Sequence, residues 1–349
     1  MWAMIVKEFR QVRRDHRTLA MMIVMPVVLL VVFGYAASFD VSGIDTALYG
    51  PGAEDVATIL PETFEVEVVD SAGGVESARD FLRRGEVVVA IVVEENKVAA
   101  FVDGSQLFAA RAASQALATA AQAVPGLEIE ILFNPGLETS AVLVPGLGGL
   151  ILLFVGTIIT SLGVVKERQA GTLEQLAVMP LRPTDVFIGK IAPYFLVASL
   201  DLVIVLVVGT ALFDVPFNGP VWILALGSLM FLFVTLGLGV LISSVSENQG
   251  QAIQLALMAL LPQVLLSGLI FPLESMAAGV RWIGYVLPLT YFNLVAKGVM
   301  LRDAAFSDLL FPLALLAVLG VFTFGLAVLR FRRDLGSADD AGSTLEVAT

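Results

Sequence analysis

The stretch Val164–Lys190, VVKERQAGTLEQLAVMPLRPTDVFIGK, is a polar and charged interruption between two long apolar runs. Thr172 and Gln175 have the spacing of a capping box, in which a hydroxyl and an amide satisfy the first free N–H groups of a helix. Gly171 permits a sharp turn before this helix. The helix has to end near Pro180, because the residue before a proline disfavours the helical conformation.

The helix predicted in this stretch is about two turns long and is not stable by its own propensity. Leu173 and Leu176 share one of its faces and therefore need a surface to pack against. We predict a protein partner for that face; the alternative is that it lies on the membrane or on its own chain. Pro183 and Thr184 can then open the next helix, with Asp185 in its favourable first turn.

The composition is that of a membrane protein. The 349 residues are 58% hydrophobic and only 15% charged, whereas soluble domains average about 25% charged residues. The net charge of −12 equals the imbalance of residues 40–140 alone, which hold 17 acidic and 5 basic residues. This acidity argues against nucleic-acid binding and predicts an acidic soluble module on one side of a bilayer.

The predicted fold class is an α-helical polytopic membrane protein with six transmembrane helices and an inserted small α/β domain. An apolar run of about 20 residues crosses the bilayer, and the first run is too long for the apolar part of a signal peptide. The predicted spans are residues 18–38, 142–165, 190–213, 220–243, 250–272 and 307–330.

Residues 39–141 are predicted to form the α/β domain. Its pattern favours the order strand–helix–strand–strand–helix–strand. The strands are FEVEVVD, EVVVAIVV and KVAAFVDG, and the helices are GGVESARDFLRRG and SQLFAARAASQALATAAQA. Residues 273–306 are too amphipathic to cross the membrane and too apolar for a free loop, so we expect short re-entrant or interfacial helices there.

The basic residues predict that both termini are cytoplasmic. Lysine and arginine collect in short cytoplasmic loops, and 12 of the 20 basic residues fall in segments on the N-terminal side under this orientation. Residues 166–189 are then a cytoplasmic loop, residues 331–349 a cytoplasmic tail, and the α/β domain is extracytoplasmic.

Residues 1–17 are predicted to form a cytoplasmic amphipathic helix. Trp2, Ile5 and Phe9 fall on one face, and Arg13 belongs to the basic remainder. This pattern is typical of a helix that lies on anionic lipid. The alternative is a basic flank that only orients the first span.

The stretch from Lys166 to Lys190 closely resembles the signature region of ABC-2 type transporter permeases, KER-x-x-GTLE-x-L followed by P-x-R and GK. The segment FPLES…WIGYVLPLTYF…KGVML also resembles the family's segment before its last span. The layout of one helix, a large domain and five further helices is similar to that of the drug-efflux subgroup.

The resemblance implies that two permease subunits form a pathway and two ATPase subunits drive it. It implies that the loop after the second span is the coupling helix that docks into the ATPase, and that residues 1–17 are a connecting helix bracing the same interface. The ATPase-coupling residues carried over are Glu167, Gly171, Thr172, Leu173, Glu174, Gln175, Leu176 and Arg182.

No nucleotide, cofactor or metal site is predicted in the chain itself. A phosphate-binding loop needs G-x-x-x-x-G-K-[ST], and TDVFIGKI has Thr184 in place of the first glycine and Ile191 in place of the hydroxyl residue. The chain lacks cysteine and has one histidine, His16. We therefore expect no catalytic residue here and ATP with Mg²⁺ bound by a partner subunit.

Two polar residues within the predicted spans are possible pathway residues. Asp201 has to face protein or water, because a charge at the bilayer centre costs about 2.5–3.5 kcal/mol; it is either a pathway or subunit-contact residue or a hydrogen-bonded carboxyl. Gln263 follows Pro262, where a freed backbone carbonyl can take a new donor.

The leading hypothesis is the permease subunit of an ATP-driven exporter in a bacterial cell membrane. Its cargo would be a hydrophobic or amphipathic compound, and its partners a separate ATPase, a second permease copy or related permease, and the lipid bilayer. The alternative is a membrane-anchored outer domain that acts as an assembly or signalling scaffold without transport. An ion-coupled transporter ranks last, because Asp201 is essentially alone as a mid-membrane ionisable residue.

Overall fold

The computed structural model describes residues 43–94, 97–121, 126–170, 183–273 and 275–346, besides Val27 and Val31. Its first part is an α/β domain with five strands and three helices. The strands are β1 (Ile44–Tyr49), β2 (Phe64–Asp70), β3 (Val89–Glu94), β4 (Lys97–Asp103) and β5 (Leu127–Leu132), and the helices are α1 (Ala53–Ile59), α2 (Val75–Arg84) and α3 (Leu107–Ala120).

The five strands form one mixed sheet in the order β2-β1-β3-β4-β5. β1 runs parallel to β2 and to β3, β3 and β4 form an antiparallel hairpin, and β4 runs parallel to β5. Parallel neighbours need a crossover connection. The three helices provide these connections, between β1 and β2, β2 and β3, and β4 and β5.

Both faces of the sheet are covered by helices. On one face Ile44 and Leu48 of β1 pack with Ala53 of α1 and with the alanine-rich side of α3. On the other face Ala47 and Tyr49 pack with α2. The domain therefore has two apolar cores separated by the sheet.

The sequence pattern identified the segment from β2 onward but missed β1 and α1. β1 lies between β2 and β3, and five of its six residues are buried. A strand buried on both faces has no polar alternation. β2 lies at the edge of the sheet, where most of its residues are exposed. Its sequence, FEVEVVD, therefore shows an alternation of apolar and charged residues.

The second part is a bundle of long apolar helices. They are α4 (Thr139–Gln169), α5 (Pro183–Phe213), α6 (Val221–Val245), α7 (Gln249–Leu266) and α10 (Leu310–Glu346), of which α4 contains a π-helical segment, Val155–Ile159. Among the described residues, five helices are long and apolar enough to cross a membrane. The chain is thus a multi-pass helical membrane protein. The span predicted at residues 18–38 and the helix at 1–17 lie outside the described residues.

The fifth predicted span, 250–272, is too long at its C-terminal end. The helix ends at Leu266, and Ser267 is its C-cap. Gly268 then takes a φ of +76°, a left-handed conformation that glycine adopts readily and that terminates helices. The apolar residues that follow form an irregular segment packed on α7 and α8.

Residues 278–300 form two helices, α8 (Ala278–Gly284) and α9 (Pro288–Met300), with a bend of 71° between them. Leu273 before the pair and Arg302 after it line one pocket together with residues of the α/β domain. The chain therefore enters and leaves this pair at the same end of the bundle. We call this end the domain end and the opposite end, where α4 and α6 finish, the loop end.

The core of the bundle lies between α4, α6 and α9. Phe231 of α6 stacks on Phe292 of α9 with 4.8 Å between the ring centroids. Gly149 of α4 faces the Phe292 ring so closely that a side chain there would collide with it. Small residues that admit a close approach are a usual means of packing helices in membranes.

Candidate functional site

The loop end joins three helix termini. Arg168, in the last turn of α4, donates from Nη1 to the backbone oxygens of Ser243, at 3.2 Å, and Ser246, at 3.4 Å. These oxygens belong to the C-terminal end of α6, where carbonyls lack partners in the helix itself and basic side chains bind well. Gln249 at the start of α7 donates from Nε2 to Gln169 Oε1 at 3.1 Å.

Glu167 lies on a different side of α4 from these contacts. It is half-buried and close enough to Tyr194 of α5 to interact electrostatically. The Tyr194 hydroxyl packs directly against Gly163, one turn before Glu167. The last turn of α4 therefore interacts with α5 through Glu167 and with α6 and α7 through Arg168 and Gln169.

The other predicted coupling residues, Gly171–Leu176 and Arg182, lie outside the described residues, as do Trp2, Ile5, Phe9 and Arg13. The structure shows where this loop leaves and rejoins the bundle, at Ala170 and Pro183. A cleft of about 770 Å³, lined by Arg168, Glu247 and Arg330 among others, opens beside the point of departure. The roles assigned to these residues stay predictions.

The π-helical segment of α4 packs closely against α6. Thr157 Oγ1 donates to the Thr235 backbone oxygen at 3.3 Å. An added Cβ at Gly239 would lie 2.8 Å from the Thr157 oxygen and 3.0 Å from the Gly156 oxygen. A π segment is often found at functional sites, and here it lies at mid-depth between the two ends of the bundle.

The glutamines of α7 have different surroundings. Gln251 is buried at the helix start, where its backbone N–H donates to Asn248 Oδ1 at 2.9 Å and its Oε1 accepts from the Glu247 N–H at 3.0 Å. Its contacts are those of a helix cap. Gln263 is only 3% exposed, and its Oε1 has no hydrogen-bond partner among the described residues.

Asp201 is half-buried on α5, next to the buried Leu202 and between exposed apolar residues. Neither a hydrogen bond nor an ion pair joins its side chain to the part of the chain that the structure describes. Its position does not bring it together with Gln263, which lies on α7.

The domain end contains a partly open pocket of about 170 Å³ that we call the junction pocket. It lies where the start of α3 meets α4, the segment after α7, and α9. Its lining includes Ser105, Leu107, Val142, Ser267, Leu269, Asn293 and Arg302. Gln263 lies one helical turn below Ser267 on α7, since residues four apart share a helix face.

A buried ion pair closes one side of the junction pocket. Arg302 Nη1 lies 3.7 Å from Asp103 Oδ2, and the two side chains are 6% and 0% exposed. The Ser105 N–H donates to Asp103 Oδ1 at 2.8 Å. Burial raises the pKa of the Asp103 carboxyl, and the Arg302 guanidinium and the bonds from Ser105 offset this only in part.

Sequence reasoning missed the junction pocket and the Asp103–Arg302 pair. One signal was present: Leu289, Asn293, Ala296 and Met300 recur at helical spacing on the buried face of α9. Asn293 is a polar residue in an otherwise apolar stripe. Asp103 and Arg302 are nearly two hundred residues apart, so only the tertiary structure brings them together.

Comparisons with known proteins agree on one family. The model of the ABC-2 family transporter protein matches residues 16–329. The probable multidrug ABC transporter permease YbhS of Escherichia coli K12 is 27% identical over 364 residues, which cover 95% of this chain and 97% of that protein. The probable multidrug ABC transporter permease YbhR of the same organism is 27% identical, over 95% and 98% of the two chains.

The inner membrane transport permease YhhJ of E. coli K12 is 31% identical over 225 residues, which cover 60% of this chain and 57% of that protein. No solved structure is a significant match to the chain.

Proposed function

Because the chain belongs to the ABC-2 family of transporter proteins, we propose that this ABC transporter permease serves an ATP-driven exporter of hydrophobic or amphipathic compounds. Members of the family are membrane transport permeases that work with ATPase subunits. The specific ATPase, the direction of transport, the cargo and the coupling residues belong to the proposal.

The observation that carries the proposal is the joining of three helix ends around Arg168. The loop that carries the family motif leaves α4 at Ala170, two residues after Arg168. Hydrogen bonds connect the ends of α4, α6 and α7 at this point. A force on the loop would act on three spans at once, since two charge-assisted hydrogen bonds from Arg168 and one amide–amide hydrogen bond between Gln249 and Gln169 hold these ends together. Such a connection is what a permease needs to convert a movement of its partner into a rearrangement of its bundle.

We assign the loop end to the cytoplasm, and with it both termini of the chain. The basic residues of the short flanking segments support this orientation. The α/β domain is then extracytoplasmic, and the α8–α9 pair is re-entrant from the outer side. The chain would lie in the inner membrane of a bacterial cell, as the relative YhhJ does according to its name, inner membrane transport permease.

The proposed coupling contact consists of Glu167 with residues 171–176 and Arg182, braced by the helix at residues 1–17. ATP and Mg²⁺ are bound by the partner ATPase, because the sequence offers no phosphate-binding loop. A second copy of this permease, or a related one, completes the pathway.

The cargo class and the pathway residues are proposed from separate observations. The names of YbhS and YbhR describe probable multidrug permeases. Gln263 also presents a buried, unpartnered acceptor beside the central helices, and such a group is typical of a polar position in a transport route. Asp201, on α5, is the second proposed pathway residue.

The test is a mild-detergent capture of the tagged chain from native membranes, with mass spectrometry of the retained proteins. We expect an ATPase with a phosphate-binding loop in the wild-type sample and its loss from a chain that carries Glu174→Ala and Leu176→Ala. The matched control carries Glu128→Ala and Ile129→Ala, an acidic and an apolar exchange on the exposed strand β5. It should retain the ATPase.

Capture of an equal amount of ATPase by the loop variant would contradict the proposed coupling contact. Absence of any ATPase, together with capture of an extracytoplasmic protein, would instead favour a scaffold role for the α/β domain.

A further inference from the structure

The junction pocket contains buried polar groups that no other described residue pairs with. Asn293 is 3% exposed and Ser267 is 2% exposed. Among the described residues, neither the Nδ2 nor the Oδ1 atom of Asn293 has a hydrogen-bond partner, and neither does Ser267 Oγ. Such groups cost free energy when they are buried alone, so a ligand that pairs with them would gain affinity from these atoms.

The position of Asn293 is built into the packing of the helices. Its Oδ1 would lie 3.0 Å from a Cβ added at Gly146 of α4, so the glycine leaves room for the amide. Leu269 packs against the same glycine from the segment after α7. The amide is thus held at the meeting point of three elements and faces the pocket that it lines.

The rest of the lining restricts the chemistry of the ligand. Most of the wall is apolar, with Leu107, Val142 and Leu269 as examples. Of the described residues that line it, Lys297 and Arg302 are basic and none is acidic. A cationic compound would therefore meet positive charge without a carboxylate in the wall.

The size of the pocket sets the size of the bound group. A cavity of about 150 Å³ lined by apolar side chains binds benzene, and the junction pocket measures about 170 Å³. It therefore accepts a portion of about six carbon atoms with one small polar group.

We propose that the junction pocket binds the uncharged, carboxamide-bearing end of an amphipathic compound, with the amide paired to Asn293 and the apolar portion against α4 and Leu269. A primary carboxamide has an N–H donor and a carbonyl acceptor on the same edge, as Asn293 does, so each group can donate one N–H to the oxygen of the other. Ser267 adds a further hydroxyl at the same wall. The inference rests on the proposed export function, because it takes the bound compound to be cargo.

The test is photolabelling of the full purified chain in lipid nanodiscs. The probe is hexanamide with a diazirine on its alkyl chain, and the matched probe is hexylammonium with the same diazirine. Labelled peptides are identified by mass spectrometry. We expect the amide probe to label residues 267–273 and 293–297, and the ammonium probe to label them about tenfold less, since one unpaired buried group changes affinity by roughly that factor.

Two variants separate binding from folding. Asn293→Leu keeps the volume but removes the donor and the acceptor, and Leu143→Trp fills the pocket from α4. Both should lower labelling by the amide probe about tenfold. The control Ser228→Ala removes a buried hydroxyl that bonds within its own helix, to the Leu224 oxygen at 2.6 Å, and should label as the wild type does.

Equal labelling of wild type and Asn293→Leu would overturn the proposal, as would equal labelling by the two probes. Labelling of no pocket residue in a chain that elutes as a folded protein would mean that ordered water alone occupies the site. Loss of labelling leaves the ATPase capture unchanged, and loss of ATPase capture leaves the labelling unchanged, so the two proposals fail separately.

Discussion

Asp103 and Arg302 form an ion pair between the end of β4 and the segment that follows α9, with 3.7 Å between Oδ2 and Nη1. The pair connects the α/β domain to the membrane bundle. The guanidinium also lies against Gly85, whose φ of +74° belongs to the left-handed turn that ends α2. A side chain at Gly85 would occupy the space of the guanidinium. The orientation of the domain on the bundle therefore depends on a contact that is almost completely buried between the two parts.

Arg302→Gln is expected to lower the free energy of unfolding by about 3–5 kcal/mol, because it leaves the fully buried Asp103 carboxylate without its counter-charge. Asp103→Asn should also destabilise the chain, because it leaves the buried Arg302 guanidinium without its counter-charge, although the asparagine keeps the acceptor for the Ser105 N–H. The double variant should recover most of the loss of Arg302→Gln. Thermal unfolding of the purified chains at neutral pH measures all three; strictly additive losses would show that the two side chains do not interact.

The raised pKa of Asp103 predicts a pH dependence of stability. A carboxyl whose pKa is higher in the folded state binds extra protons there, so its contribution is fully present below the unfolded pKa and is lost as the pH rises through the folded pKa. The thermal midpoint should therefore fall as the pH rises from the ordinary carboxyl pKa of 3.8 towards the raised value of Asp103. Asp103→Asn should flatten this part of the pH profile, and Arg302→Gln should steepen it. An unchanged profile in Asp103→Asn would assign the pH dependence to other groups.

At the loop end, Arg168→Ala should destabilise the bundle by about 1.5–3 kcal/mol, the range for hydrogen bonds made by a charged group. Arg168→Lys should recover part of the loss, because lysine can still donate to one of the two carbonyls. Lys166→Ala is the matched control, since Lys166 is an exposed cation two residues away. Thermal unfolding and ATPase capture are measured together. A loss of capture without a loss of stability would show that Arg168 contacts the partner directly.

Gly239→Ala should destabilise the chain by about 1–3 kcal/mol, because the new methyl group would press on the backbone of the π-helical segment. The nearest atoms would be the Thr157 oxygen at 2.8 Å and the Thr160 Cβ at 2.9 Å. Gly325→Ala on α10 is the control: nothing lies within 4 Å of its added Cβ. The control should be neutral or slightly stabilising, as expected for alanine in a helix. Similar thermal midpoints for both variants would mean that the π segment can move away from α6.

Gln263→Leu distinguishes a transport role from a structural one. Its Oε1 is buried without a partner in the described part of the chain, so leucine should leave stability unchanged or raise it. If Gln263 lies in the pathway, export of amphipathic substrates from cells should fall while the amount of folded protein stays the same. Gln251→Leu is the contrasting variant, because it removes the Oε1 atom that accepts from the Glu247 N–H at the helix cap and should lower stability. Unimpaired export by Gln263→Leu would remove this residue from the pathway.

The linear sequence alone determined the membrane class, five of the helices and the family. Long apolar runs, period-two strands and the KER…GTLE…GK motif are local features of the sequence. They can be recognised without knowledge of the fold. The position of β1, by contrast, was decided by the tertiary structure, because a strand buried on both faces shows no alternation. The end of α7 at Leu266 also depended on three-dimensional context, since the apolar residues after Gly268 pack on α7 and α8 rather than extending the helix.

The junction pocket and its polar groups were decided by tertiary structure alone. In the sequence Asn293 is an ordinary polar residue. In the folded structure it lies on a short helix and packs near Gly146 and Leu269. Asp103 is buried beside Arg302, which comes from a distant part of the chain, so its burial and its ion pair are visible only in the folded structure. Burial and pairing are properties of the folded environment, and it is this environment that turns ordinary side chains into a site.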